Sequence, residues 1–430
     1  MRRSPLLLAL LLVGCPGNSV PPQEPGPKTS TPTSITDPEP TALPPVSTDV
    51  TKSVARSINA FGVDYYKRAA SKPGNVVASP ASIAFAFAMT YAGAEAETAA
   101  EIAAAFRFAS QGDELWAGFT GTLESWNAAG QVELAVANRL FGEQTFEFQP
   151  AFLDLTAKFF RAPLQPMDFK NGADAARKDI NAWVENRTKT RIKDLLPDGS
   201  VDETTRLVLT NAIYFKGDWE SPFEKESTQP AEFRAPSGKT QVPMMNQTAY
   251  FQLAKDTATG AQVIEMPYKG GALAMMIVLP DADDGLTAVE AKLSPETIDA
   301  WVKSYENRQV FVSLPKFRIE PARSESLVET LNAMGIKRAF DAERAQFGKM
   351  AAPPPPLYIS DAFHKAFIAV DEKGTEAAAA TAVVMAEGTG APSAPPQRFN
   401  ADHPFLFMLR DKNSGALLFV GRVLQPEAPA

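Results

Sequence analysis

Histidine and cysteine carry most nucleophilic, proton-transfer and metal chemistry near neutral pH, and this chain of 430 residues has only His364, His403 and Cys15. A nucleophile needs a base beside it, and a zinc site needs several imidazole or thiolate ligands. Neither histidine lies in such a motif. No Gly-x-Ser-x-Gly elbow, phosphate-binding loop or dinucleotide fingerprint appears either. A Ser/His/Asp triad is defined in space and not by chain order, so two histidines narrow that reading without removing it. The expectation is a protein that is no enzyme and uses no metal or cofactor. Its net charge of -8 argues against nucleic acid as a partner. The densest basic run, Arg187, Lys189, Arg191 and Lys193, reads as a solvated helix end.

The most unusual spacing lies in Asp371 to Met385, followed by a Gly, Pro and Ser-rich run to Pro396. Helix propensity alone would make Ala377, Ala378, Ala379 and Ala380 helical. An extended chain instead sends successive side chains to opposite faces. Thr375, Ala377, Ala379, Thr381 and Val383 then share a face of small or β-branched residues, and Glu376 falls on the other. Such a strand could pass between two others without burying a charge. Gly374 just before it suits a hinge.

The elements that would hold this stretch follow from the rest of the chain. Met1 to Val13 has the charged start and short apolar core of a secretion signal. Leu12-Val13-Gly14-Cys15 resembles the lipobox of bacterial lipoproteins, which implies lipidation at Cys15 after removal of residues 1–14. With a single cysteine there is no internal disulfide. Residues 15–48 are rich in Pro, Thr and Ser and cannot bury a core, so they read as a disordered tether. From residue 49 the composition is globular. Ser79 before Pro80 marks a helix start, and the segment that follows is apolar all round, which implies a buried helix. Ile180, Trp183 and Val184 have helical spacing on a polar surface. Arg206 to Phe215 is apolar on both faces, as in a strand covered on both sides, and Asn211 within it needs hydrogen-bond partners. Lys269-Gly270-Gly271 separates two apolar strands as a hairpin signal.

The run Glu372-Lys373-Gly374-Thr375-Glu376-Ala377-Ala378-Ala379-Ala380-Thr381 resembles the hinge of an inhibitory serpin. Asn211-Ala212-Ile213-Tyr214-Phe215-Lys216-Gly217-Asp218-Trp219 matches a specific serpin word. Asn75 to Ile83, Asn138 to Phe141, Leu357 to Ala366 and Phe399 to Phe407 match others in family order, so the resemblance spans about residues 50 to 425. It implies an α+β serpin fold at 49–430, a single domain with three β-sheets, about nine helices and an exposed reactive-centre loop at about 372–396. It also implies a suicide inhibitor of serine-type endopeptidases, in which the cleaved loop enters the central sheet from Thr375 onward and traps the protease covalently. By the resemblance, Ser79, Ser82, Asn211 and His364 form a polar cluster that controls opening of the sheet, and Trp219 lies near the point of entry. His364 would then be a satisfied core histidine that does no proton chemistry.

The scissile bond is less defined. Counting forward from Gly374 places it between Gly388 and Thr389, and counting back from Phe399 places it near Gly390 or Ala391; Met385, Ala386 and Glu387 are the residues there with a side chain suited to a protease pocket. The expected partners are a target protease and, through Cys15, a membrane of the cell envelope or cell surface, with the protein exported and monomeric. A non-inhibitory serpin serving as a binding module, or an inhibitor of cysteine proteases, stays open.

Overall fold

Leu207, Val208 and Leu209 before Asn211, and Ile213, Tyr214 and Phe215 after it, form the strand Leu207–Asp218, buried from Leu207 through Phe215. The computed structural model describes residues 46–128, 132–352, 356–375 and 395–428. Glu376 to Thr381, the bond candidates Met385 to Ala391, and Cys15 with its tether lie outside the described residues. Within them, Leu207–Asp218 is central to a seven-stranded sheet. Val132–Glu143 pairs with it antiparallel on one side, and Asp361–Val370 pairs with it parallel on the other.

The two faces of this strand meet different layers, as alternation requires. Leu207, Leu209, Ile213 and Phe215 join the large core that includes Phe85, Phe87 and Met89 of the helix Pro80–Gly93. That helix is buried nearly all round and is capped by Ser79, whose Oγ accepts from Ser82 N–H at 3.1 Å. Val208 and Ala212 pack on the other face with Ile180 and Val184, which belong to the helix Phe169–Arg187. The helical spacing seen at Ile180 to Val184 is thus the end of a longer helix. It starts at Asp168, whose carboxylate accepts from Asn171 N–H at 3.0 Å, and Gly172 interrupts its first turn with non-helical angles.

The other strands form one nine-stranded hydrogen-bonded network. Among the described residues there are nine α-helices, and the ladders connect into two sheets by hydrogen bonding where three were expected. The cause is the 19-residue strand Gly238–Asp256. It pairs in succession with Gln229–Ala235, Glu306–Pro315 and Ala261–Pro267, so one strand joins ladders that shorter strands would keep apart. The hairpin at Lys269 to Gly271 is present between Ala261–Pro267 and Leu273–Pro280, with both glycines at positive φ. Gln397–Asn400, the first strand after the loop, lies parallel to Glu306–Pro315 at the edge of this network. Among the described residues no helix is long and apolar enough to cross a membrane.

Candidate functional site

Over Asp361 to Phe367 the parallel strands touch directly, ending with Phe367 opposite Tyr214. Three residues further on in the same register Val370 would meet Gly217, but Thr375 lies between them and pairs with both. Gly374 pairs with Asp218 beside it. The chain therefore turns back after Val370 and begins a new strand, antiparallel to both neighbours, inside an opening of the sheet. Gly374 permits the approach because it lacks a Cβ: one built there would sit 2.0 Å from the Gly217 carbonyl oxygen.

A cage holds this short strand. The Tyr268 and Thr375 hydroxyls share a hydrogen bond of 2.6 Å, and Thr375 has no exposed surface. Tyr268 stacks on Trp219 with ring centroids 4.5 Å apart. Trp219 grips the turn twice, its backbone N–H donating to Lys373 O at 2.7 Å and its indole N–H to Asp371 O at 3.1 Å. Asp371 closes the turn by accepting from Lys373 N–H at 2.9 Å. Burial pushes its carboxyl up from the ordinary range, against the backbone N–H groups that favour the charge. Burial also opposes the charge on Glu372, but Lys316 at 2.9 Å and the Thr228 hydroxyl at 2.9 Å outweigh it and hold that carboxyl low. A buried carboxylate is tolerated here because it is paired.

A second polar group lies further down the same sheet. Asn138, Asn211 and His364 sit at directly paired positions on three adjacent strands. Asn211 Nδ2–H donates to Asn138 Oδ1 at 3.2 Å, and the His364 Nδ1–H donates to Asn211 Oδ1. Below them, Ser82 Oγ–H donates to Asn138 Oδ1 at 2.9 Å, and Asn138 Nδ2–H returns a bond to Ser82 O at 2.8 Å. Ser79 N–H donates to His364 Nε2 at 3.2 Å, and its hydroxyl donates to Leu418 O at 2.6 Å. Each ring nitrogen of His364 thus meets a partner that fits the neutral Nδ1–H tautomer. Burial disfavours the imidazolium and lowers the pKa from 6.5 to about 4.

The structure brings Ser79, Ser82, Asn211 and His364 together and places Trp219 in the hinge cage. Glu372, Gly374 and Thr375 lie in that cage, with the remaining hinge and bond candidates outside the described residues. Sequence reasoning missed Asn138. Its signal was available, because Asn138 alternates onto one face with Val132, Leu134, Val136 and Leu140 and invites the argument applied to Asn211. It also missed Tyr268, Lys316 and Thr228, which reach the hinge from strands and turns far away in the chain and carry no local signal. Among the described residues no cluster of three or more His, Cys, Asp or Glu could hold a metal ion.

Residues 56–426 match the family described as serpin (serine protease inhibitor). The chain is 39% identical to leukocyte elastase inhibitor A of Rattus norvegicus, over 87% of this chain and 99% of that protein. It is 36% identical to antithrombin-III of Homo sapiens, over 87% of this chain and 82% of that one. Among solved structures, uncleaved ovalbumin superposes with a TM-score of 0.77 at 30% identity, covering 87% of this chain and all of that one. Native protease nexin-1 with heparin gives 0.78 at 31%, with the same coverage. This chain belongs to the serpin family, whose characteristic members inhibit proteases and are not themselves catalysts.

Two outcomes test this geometry. His364 is neutral in the fold, so its contribution is complete above its ordinary value of 6.5 and is lost as pH falls toward about 4. Unfolding in urea at a series of pH values should show a loss of about 3 kcal/mol across that window, absent in His364→Gln once its lower baseline is subtracted. An equal acid dependence in both proteins would assign the effect to other groups. Gly374→Ala should expel the hinge rung and speed amide exchange at residues 373–375 about tenfold, a local loss of ~1.4 kcal/mol. Unchanged exchange would mean that the close backbone approach does not set the hinge.

Proposed function

We propose that the protein is a covalent-trapping inhibitor of serine-type endopeptidases. The observation that carries this reading is the rung formed by Val370, Thr375 and Gly217, a strand already begun between two parallel neighbours. Because it is antiparallel to both, each step forward in the loop is one step back along each neighbour. Ala377 then meets Phe215 and Ile368, and Ala379 meets Ile213 and Ala366. All four neighbours face the large core, where small side chains fit. Glu376 falls on the opposite face beside Lys216, a favourable cross-strand pairing. Thr381 arrives between Asn211 and His364, so completing the strand means parting their hydrogen bond and replacing it with bonds to the threonine hydroxyl. The polar row thereby acts as a gate whose buried groups remain satisfied only if a hydroxyl arrives.

In the proposed reaction the protease's serine oxygen attacks the scissile carbonyl in the loop. The peptide C–N bond breaks, the proton taken from the serine goes to the departing amine, and an acyl ester joins protease to inhibitor. Water would next hydrolyse the ester. Insertion of the freed segment competes with that step and carries the protease along, distorting its active site. Relatives named as an elastase inhibitor and as antithrombin support inhibition as the activity. The family also has members that do not inhibit, and the small, uninterrupted core-facing side of the hinge favours the inhibitory reading over that one. The lipobox at Cys15 supports an exported protein held to a membrane by lipid, with residues 15–48 as spacer.

Mixed with a panel of serine and cysteine proteases, the protein should form a complex that survives denaturing electrophoresis with at least one serine protease. Thr375→Arg or Ala377→Glu buries a charge at a cost of several kcal/mol and should turn inhibitor into substrate, cleaved without trapping. If either variant traps as much protease as the parent, insertion along this register is wrong. Cleavage of the parent without complex across the panel would instead favour a non-inhibitory serpin. Cys15→Ala should move the protein from the membrane fraction to the soluble fraction, and retention on the membrane would remove the lipid anchor from the account.

A further inference from the structure

On the far side of the loop the chain re-enters the fold through Gln397–Asn400, paired with Val310 to Ser313, and then turns at Asp402 and His403 into the strand Phe405–Asp411. The turn is fastened by charge. Arg234, on the strand Gln229–Ala235, donates to both oxygens of Asp402 at 3.0 and 2.8 Å and to both oxygens of Asp283 at 2.6 and 2.9 Å. Its backbone N–H also donates to Asp402 O at 2.8 Å. His403 is buried against this group.

The ring nitrogens of His403 face two acceptors. Nε2 lies 2.8 Å from the Pro280 carbonyl, which can only accept, so that nitrogen carries a proton. Nδ1 lies 2.8 Å from Asp402 Oδ1 and 3.9 Å from Asp283 Oδ1, with Arg234 Nη2 at 3.4 Å. In the neutral ring, Nδ1 would turn a lone pair toward a carboxylate oxygen at hydrogen-bond distance, with only the longer contact from Arg234 Nη2–H as a donor. In the imidazolium the same contact becomes a charge-assisted bond. One proton therefore changes this contact from repulsive to bonding. It also balances the cluster, since Arg234 and His403 then face Asp283 and Asp402.

We propose that Arg234, Asp283, Asp402 and His403 form a proton-dependent clamp on the segment leaving the reactive loop, which tightens when Nδ1 of His403 is protonated. Its role in inhibition rests on the reading above. An uncleaved loop can enter the central sheet fully only if Gln397–Asn400 peels from its neighbour, and the clamp sits at the end of that strand. Protonation thereby favours the loop-out form that a protease can attack. Burial opposes the imidazolium, but Asp402, the Pro280 carbonyl and Asp283 prevail and raise the His403 pKa above 6.5. A raised value in the folded state means that the contribution is complete on the acid side and is lost as pH rises through it.

With only two histidines in the sequence, ring-carbon NMR of the intact protein reads both titrations: His403 should titrate above 6.5 and His364 well below it. Amide exchange of residues 397–403, corrected for the intrinsic rate, should be several-fold faster at about pH 9 than at about pH 6. His403→Gln should abolish that difference, and Asp402→Asn should bring the His403 titration down. A His403 titration at or below its ordinary value, or an exchange difference that persists in His403→Gln, would overturn the clamp. None of these readouts uses a protease. A pH-dependent clamp in a protein that traps nothing would remove the inhibitory reading alone, and pH-independent exchange in a protein that traps would remove the clamp alone.

Discussion

The structure depends on one contact, the parallel pairing of Asp361–Val370 with Leu207–Asp218. The backbone groups that pair along this seam are those a further strand would use from either side. Parting the seam and filling it with an antiparallel strand conserves the hydrogen bonds of both neighbours and adds those of the newcomer. It also buries more small apolar side chains against the core. On the proposed reading the closed arrangement has a lower-energy alternative within reach, and what matters is what delays it.

On that reading two sets of side chains supply the delay, because they lie along the proposed path of entry. At the top, Trp219, Tyr268 and Asp371 hold the first rung in place, so the register is fixed before the rest follows. Further down, Asn138, Asn211 and His364 cross three strands with buried hydrogen bonds. Leaving such groups unpaired costs about 1–3 kcal/mol each. The two histidines show how environment divides one residue type. His364 has partners suited to the neutral ring, whereas His403 faces a carboxylate and a carbonyl that both require a donor.

Much of this was legible in the sequence because the signals were local. Strand Leu207–Asp218 showed itself by apolar residues on both faces, and the buried helix by Ser79-Pro80 and the apolar run that follows. The unread parts depend on contacts between distant segments. Nothing near Tyr268 indicates that its hydroxyl meets Thr375, and nothing near Thr375 shows that it is already paired before cleavage; the sequence reading had it entering only afterwards. The start of the helix Phe169–Arg187 was hidden because Lys170, Asn171 and Gly172 follow Phe169, with non-helical angles at Gly172. The joining of ladders through Gly238–Asp256 comes from strand length, and composition does not mark where a long strand changes partners.

The most direct test of the central claim is a crystal structure of the protein after cleavage in the loop by a protease. The account predicts a strand running on from Thr375 between Leu207–Asp218 and Asp361–Val370, with Ala377 opposite Phe215 and Thr381 between Asn211 and His364. A cleaved loop left outside the sheet would contradict it. So would an inserted strand shifted by one residue, with Glu376 on the core face.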